Sequence, residues 1–109
     1  MIEVVKQHRS ELVSLCLKYG IAKLDVFGSA AIGNFVPGKS DVDFIVEFVV
    51  SDPGIADRLV DFADAAEMLL ATSVDIVIES GISNPYLLHS ISESREAIYD
   101  ANSHRQTAA

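Results

Sequence analysis

Residues 42–50 read Val-Asp-Phe-Ile-Val-Glu-Phe-Val-Val, and no other stretch restricts the chain as much. The density of β-branched and aromatic side chains makes this the strongest strand in the sequence. Strand side chains alternate between faces, so Val42 and Phe44 enter the core together while Asp41 and Asp43 share the other face. A chain of 109 residues builds one domain around such a strand. It buries only roughly 60–70% of its unfolded surface. Half of its residues are hydrophobic and Trp is absent. The core is therefore filled by Val, Ile, Leu and Ala, as suits a small α/β domain.

The flanking segments follow from spacing and punctuation. Residues 2–19 read as a helix, with Ile2, Val5, Leu12, Leu15 and Cys16 near helical spacing and Gly20 as its stop. Residues 21–27 read as a strand in which Asp25 lies between Leu24 and Val26, and Gly28-Ser29 ends it. Gly33, Pro37 and Gly38 make residues 30–40 a short helical turn followed by a loop. Ser51-Asp52-Pro53-Gly54 is a turn. Residues 55–71 form an amphipathic helix with Leu59, Phe62, Ala63, Ala66, Leu69 and Leu70 inward, and Asp57, Arg58, Asp61, Asp64 and Glu67 on the wet side. Residues 74–79 read as a buried strand. Asn84-Pro85 starts a helix expected to run to about Asp100 with Leu87, Leu88, Ile91 and Ile98 inward. The expected order is α-β-(turn)-β-α-β-α, one domain over residues 1–101, with a polar, flexible tail over 102–109.

Charge and composition exclude several roles. The formal net charge is −8, from 8 basic and 16 acidic residues, and the basic ones are scattered. Binding nucleic acid through its phosphates needs Lys and Arg in patches, so direct nucleic-acid binding is not expected. An acidic surface suits a basic protein partner, or solubility. The lone cysteine, Cys16, permits no intramolecular disulfide and sits in an apolar helical stretch, as a buried thiol does. Glu3, Lys6 and Arg9 interrupt any signal-peptide pattern, and no stretch is long enough for a membrane span. A cytoplasmic protein with no membrane contact is the expectation. His8, His89 and His104 fall in separate segments and read as surface or satisfied histidines, not metal ligands.

Two features carry chemistry. Asp41 and Asp43 project from one strand face, where two carboxylates about 4 Å apart repel by up to ~4 kcal/mol at an effective dielectric near 20. A divalent cation removes that repulsion, and hard oxygen ligands suit Mg²⁺ or Mn²⁺ completed by phosphate oxygens and water. The Gly28-Ser29 turn is the second feature. Glycine admits a phosphate close to the backbone, a helix starting at Ser29 turns free N–H groups toward an anion, and the serine hydroxyl can donate to the same phosphate. Asp75, early in an apolar strand between Val74 and Ile76, is the candidate third carboxylate. It would complete a two-metal site and assist deprotonation of an acceptor.

Gly28-Ser29-Ala30-Ala31-Ile32-Gly33 followed by Ser40-Asp41-Val42-Asp43-Phe44 resembles the signature of the polymerase-β-like nucleotidyltransferases. The small size resembles their minimal nucleotidyltransferase (MNT) branch, which includes the MntA-type antitoxins paired with HEPN ribonuclease toxins. The likeness extends over nearly the whole chain, to the closing Glu96-Ala97-Ile98-Tyr99. It implies a small mixed β-sheet with helices packed on it. It implies that Gly28, Ser29 and Ser40 contact a nucleoside triphosphate, that Asp41, Asp43 and Asp75 are catalytic and bind metal, and that ATP is the substrate with Mg²⁺ or Mn²⁺ as cofactor. In the antitoxin branch the implied reaction is AMP transfer to a tyrosine of the cognate toxin. Two departures stand out: Ile32 occupies a position where many relatives have Arg, and the stretch between Ser29 and Asp41 is one residue longer than the common pattern.

A chain this short has no residues for a separate acceptor domain. The acceptor is then supplied by another macromolecule or by a second copy, compatible with a homo- or hetero-oligomer. That favours a protein substrate such as a HEPN-type toxin over an aminoglycoside. The alternative is a non-catalytic antitoxin that neutralises its toxin by binding alone.

Overall fold

The computed structural model describes residues 1–103. In chain order the elements are α1 (Glu3–Gln7), α2 (Arg9–Tyr19), β1 (Ile21–Phe27), α3 (Ser29–Ile32), β2 (Val42–Phe48), α4 (Ile55–Leu70), β3 (Val74–Ile78), a 3-10 turn (Glu79–Gly81), α5 (Pro85–Ser94), β4 (Glu96–Asp100) and a closing 3-10 turn (Ala101–Ser103). The strands form one four-stranded mixed sheet in the order β3-β2-β1-β4. β1 runs antiparallel to both β2 and β4, whereas β2 and β3 are parallel, joined by the crossover helix α4.

The strong central strand behaves as its sequence requires. Val42, Phe44, Val46 and Phe48 alternate into the main core, where they meet Leu24 and Val26 of β1 and the buried Leu12, Cys16, Phe62, Ala66 and Leu70 of α2 and α4. Phe62 stands edge-on to both Phe44 and Tyr19, with ring centroids 6.4 Å apart in each pair. Truncation of such a ring to Ala costs about 3–5 kcal/mol. Gly20 ends α2 in the left-handed region (φ 72, ψ 32), its N–H bonded to the Cys16 carbonyl. Burial pushes the Cys16 thiol up to about 12, so it is an inert part of the core, as its setting suggests.

The opposite face of the sheet is only partly covered. Ile45 of β2 and Ile91 of α5 are buried there, apart from the main cluster. Asn84 caps α5 by accepting from the Tyr86 and Leu87 N–H groups, as the Asn-Pro start leads one to expect.

Several expectations are corrected. The single helix over residues 2–19 is two helices that meet at His8 (φ −107, ψ 16). Ile2 N–H bonds the Ala30 carbonyl, so α1 is docked on α3 by a tertiary contact, and the His8 Nδ1–H donates to the Val4 carbonyl at 2.8 Å. The last helix does not reach Asp100. It stops at Ser94, Arg95 is extended (φ −64, ψ 142), and residues 96–100 form β4 along β1. Ile98 is inward, but from a strand. The open edge of β1 offers hydrogen bonds that outweigh a weak helical preference. Leu87, expected inward, is largely exposed. The strand at 74–78 is an edge strand, half-buried rather than buried, with Asp75 exposed, because only β2 pairs with it. On the expected wet side of α4, Arg58 packs over the Phe48 ring and Glu67 accepts the Val74 N–H at 2.9 Å. From residue 104 on, the expected tail and His104 lie outside the described residues. Among the described residues, no helix is long and apolar enough to cross a membrane.

Candidate active site

The sheet register assembles the acidic residues. Phe27 of β1 lies opposite Asp43 of β2, and Asp43 lies opposite Asp75 of β3. Cross-strand partners point to the same face, and neighbouring strands are about 4.8 Å apart. Asp43 and Asp75 therefore stand side by side on the open face of the sheet. The core row, Val26-Phe44-Ile76, lies one residue on and points the other way.

Asp43 is half-buried, and its carboxyl is raised above the usual range. Burial is the first cause; the negative charges of Asp75 and then Asp41 add to it. The repulsion inferred from the Asp-x-Asp spacing thus involves all three acids. Asp41 is exposed at the mouth of β2 and is steadied from β3. The Ser73 hydroxyl donates to Asp41 Oδ1 at 2.6 Å, and the Val42 N–H donates to the Ser73 carbonyl at 2.9 Å.

Gly28 closes the site on the β1 side. Its backbone (φ 70, ψ −148) occupies a region essentially restricted to glycine. A Cβ there would lie 2.9 Å from Asp43 Oδ2. The Gly28 carbonyl accepts the N–H groups of Ala31 and Ile32 at 3.0 and 3.1 Å and so starts α3. The N–H groups of Ser29 and Ala30, first in that helix, have no intrahelical carbonyl to meet. With only four residues, α3 has a small dipole, and those N–H groups with the Ser29 hydroxyl are what it could offer an anion.

Ser40 has a local task as well. Its hydroxyl accepts the Val36 N–H at 3.0 Å, and its own N–H donates to the Val36 carbonyl at 2.8 Å. The loop before Asp41 is thereby closed on itself, and the Ser40 O–H can still donate. Ile32 is 64% exposed, an apolar side chain on the surface just past the Gly-Ser turn.

Two participants escaped the sequence reading. Ser94, at the end of α5, accepts the Gly28 N–H on its hydroxyl oxygen at 2.9 Å. No local pattern links these positions. Arg95 bonds Asp25 Oδ2 at 2.7 Å and Glu79 at 2.8 and 3.3 Å. The signal for this cluster was Asp25 itself, an acid between Leu24 and Val26. It is buried, and its Oδ1 has no hydrogen-bond partner among the described residues.

The donor set suits a hard divalent ion held in part by its substrate. Among the described residues no group of three His, Cys, Asp or Glu side chains encloses a ready-made metal site. Mg²⁺ is ordinarily held by one or two carboxylates with phosphate oxygens and water, and the mutually repelling acids beside Gly28 could supply that portion.

The family model of the nucleotidyltransferase domain matches residues 5–98. The chain belongs to the nucleotidyltransferase domain family. A Methanocaldococcus jannaschii protein named "putative protein adenylyltransferase MJ0128" is 33% identical over 91 residues, covering 84% of this chain and 87% of the relative. A solved structure of a "putative minimal nucleotidyltransferase" superposes with a TM-score of 0.71 at 31% identity, over 86% of this chain and 92% of that one. The fold is shared further, with a chain in the complex of a tri-AMPylated Shewanella oneidensis HEPN toxin with MNT antitoxin, at a TM-score of 0.62 and 13% identity over 94% of this chain and 77% of that one. The expected family and the mixed α/β nucleotidyltransferase fold are borne out. In this nucleotidyltransferase the signature residues converge at one end of the sheet.

Proposed function

We propose that this nucleotidyltransferase transfers AMP from ATP to a protein acceptor, a tyrosine of a cognate HEPN-type ribonuclease toxin, and thereby acts as its antitoxin. The observation that supports it most is the register that sets Asp43 beside Asp75, with Gly28 leaving no room for a side chain against the Asp43 carboxylate. A triphosphate and an acceptor hydroxyl could meet over that row. The adenylyltransferase name of the M. jannaschii relative and the AMPylated toxin in the Shewanella complex support the choice of AMP and of a HEPN acceptor.

In this reading the Ser29 and Ala30 N–H groups and the Ser29 hydroxyl bind the triphosphate, with Ser40 donating from the facing loop. Asp41 and Asp43, with Asp75, would hold Mg²⁺ or Mn²⁺, which when bound supplies charge neutralisation at the phosphates and activation of the acceptor oxygen in a two-metal displacement. Asp75, exposed on the edge strand, accepts the tyrosine proton. The phenolic oxygen forms its bond to the α-phosphorus as the bond from that phosphorus to the bridging oxygen breaks. Pyrophosphate leaves with that electron pair. The sheet face is open, so a macromolecular acceptor can reach it.

Exposed Ile32 supports a second reading, a non-catalytic antitoxin that neutralises by binding alone. Incubation of the toxin with this protein, Mg²⁺ and ATP, followed by intact-mass measurement, separates the two. A gain of AMP units that disappears with Asp41→Ala/Asp43→Ala supports transfer. No gain from wild type, with toxin neutralised equally by the double variant, refutes it.

A further inference from the structure

We propose that Ser94 and Arg95, at the α5–β4 junction, are positioning residues that hold the Gly28-Ser29 turn in its nucleotide-receiving shape; this rests on the reading of that turn as the triphosphate site.

Gly28 leaves β1 with a positive φ. Its φ of 70 and ψ of −148 lie in a region that glycine enters freely but as one of many, so its neighbours must select it. The carbonyl side is held by α3. On the N–H side, the Ser94 hydroxyl oxygen accepts at 2.9 Å, while the Ser94 O–H donates to the Ile91 carbonyl at 3.4 Å. One hydroxyl thus accepts from the amide of the turn and donates back into its own helix, α5.

The next residue fixes the height of that hydroxyl above the sheet. Arg95 reaches Asp25 through Nε and Glu79 through both terminal nitrogens. Only 16% of its side chain is exposed, and only 5% of that of Asp25. Asp25 and Gly28 flank the end of β1, so the junction grips β1 at two points, one on the strand and one on its exit turn. Glu79 directly follows β3, the strand that carries Asp75. The same guanidinium therefore links the two strands that deliver the turn and the third acid.

A role in stability alone accounts poorly for this arrangement. Buried ion pairs are weak stabilisers compared with apolar packing, and here one buried oxygen of Asp25 has no hydrogen-bond partner among the described residues. A device that specifies a position tolerates that cost.

The test uses the intact protein with Ser94→Ala, Ser94→Thr and Arg95→Lys, and ATP with Mg²⁺ as the probe. Hydrogen exchange at the Gly28 amide is measured first, because it does not depend on activity. Ser94→Ala is expected to lower protection there by about tenfold, the usual effect of losing one such bond, with Leu24 in β1 unchanged. It raises the KM for ATP about tenfold with a smaller change in kcat. Ser94→Thr, which keeps a hydroxyl, restores both. Arg95→Lys, which keeps the charge and loses the fork, loosens Gly28 in the same direction. Unchanged exchange at Gly28 in Ser94→Ala overturns the proposal even if that variant loses activity. An unchanged KM in Ser94→Ala, when wild type uses ATP, also overturns it. A wild type that binds no ATP removes the underlying reading of the site, and with it the proposed consequence for nucleotide.

Discussion

A methyl group on Gly28 would lie 2.9 Å from Oδ2 of Asp43, closer than a carbon in that position can approach a carboxylate oxygen. An added methyl there would displace the Asp43 carboxylate. Gly28→Ala has two penalties, the clash and a φ of 70. The variant should lose about 1–3 kcal/mol of stability, read from urea unfolding. AMP transfer should fall on the order of a hundredfold, as a shift of about 1 Å at a reacting centre can cause. Wild-type transfer by this variant contradicts the contact.

Asp43→Asn should separate stability from function. Burial and two neighbouring acids raise the Asp43 carboxyl above its ordinary 3.8. The folded state therefore binds the proton more readily than the unfolded chain. Ionisation opposes folding from about pH 3.8 upward, and the penalty is complete above the raised value. At pH 7 the Asn variant should unfold at a higher temperature than wild type, and the difference should shrink as the pH falls through that window. Mg²⁺ with a non-hydrolysable ATP analogue should stabilise wild type and leave the variant nearly unaffected. A variant less stable than wild type at pH 7 would falsify the electrostatic account.

Ser73 donates to Asp41 at 2.6 Å and sits in a position to orient it. Removing such a partner typically costs about 10–100-fold in metal affinity or activity. Ser73→Ala should show a loss of that size in AMP transfer, with thermal stability changed by no more than about 0.5 kcal/mol, as for an exposed site. Titration with Mg²⁺ at fixed ATP measures the first quantity and calorimetry the second.

Glu79 lies below its ordinary 4.5, chiefly through its hydrogen bond to Arg95. Its folded value is depressed, so its contribution is present above about pH 4.5 and is lost as the pH falls through the lower value. Glu79→Gln should destabilise the protein by about 1 kcal/mol at pH 7, discounted for its partial exposure, and by progressively less under acid. Chemical unfolding at several pH values checks this. A difference independent of pH contradicts it.

Much of the site was legible before any fold was drawn. Asp41 and Asp43 share a face because strand side chains alternate, and Gly28 was marked by its place between a strand and a short helix. The apolar strand around it pointed to Asp75 and the resemblance to Ser40, but their surroundings were hidden: Asp75 stands on an edge strand, and Ser40 first closes its own loop through Val36. The longest errors were also local readings of non-local structure. Residues 96–100 suit a helix or a strand, and only the free edge of β1 selects the strand. His8 looks unremarkable until α1 is seen docked against α3.

Alternation, breakers and helical stripes act between near neighbours, so the amino-acid order alone determined most of the elements, the core strand and the acidic pair. The meeting of Asp43 with Asp75, of Gly28 with Ser94 and of Asp25 with Arg95 came from sheet register and helix docking. Those contacts join residues far apart in the chain, and they form only when burial of the shared core brings β1, β2, β3 and the α5–β4 junction together.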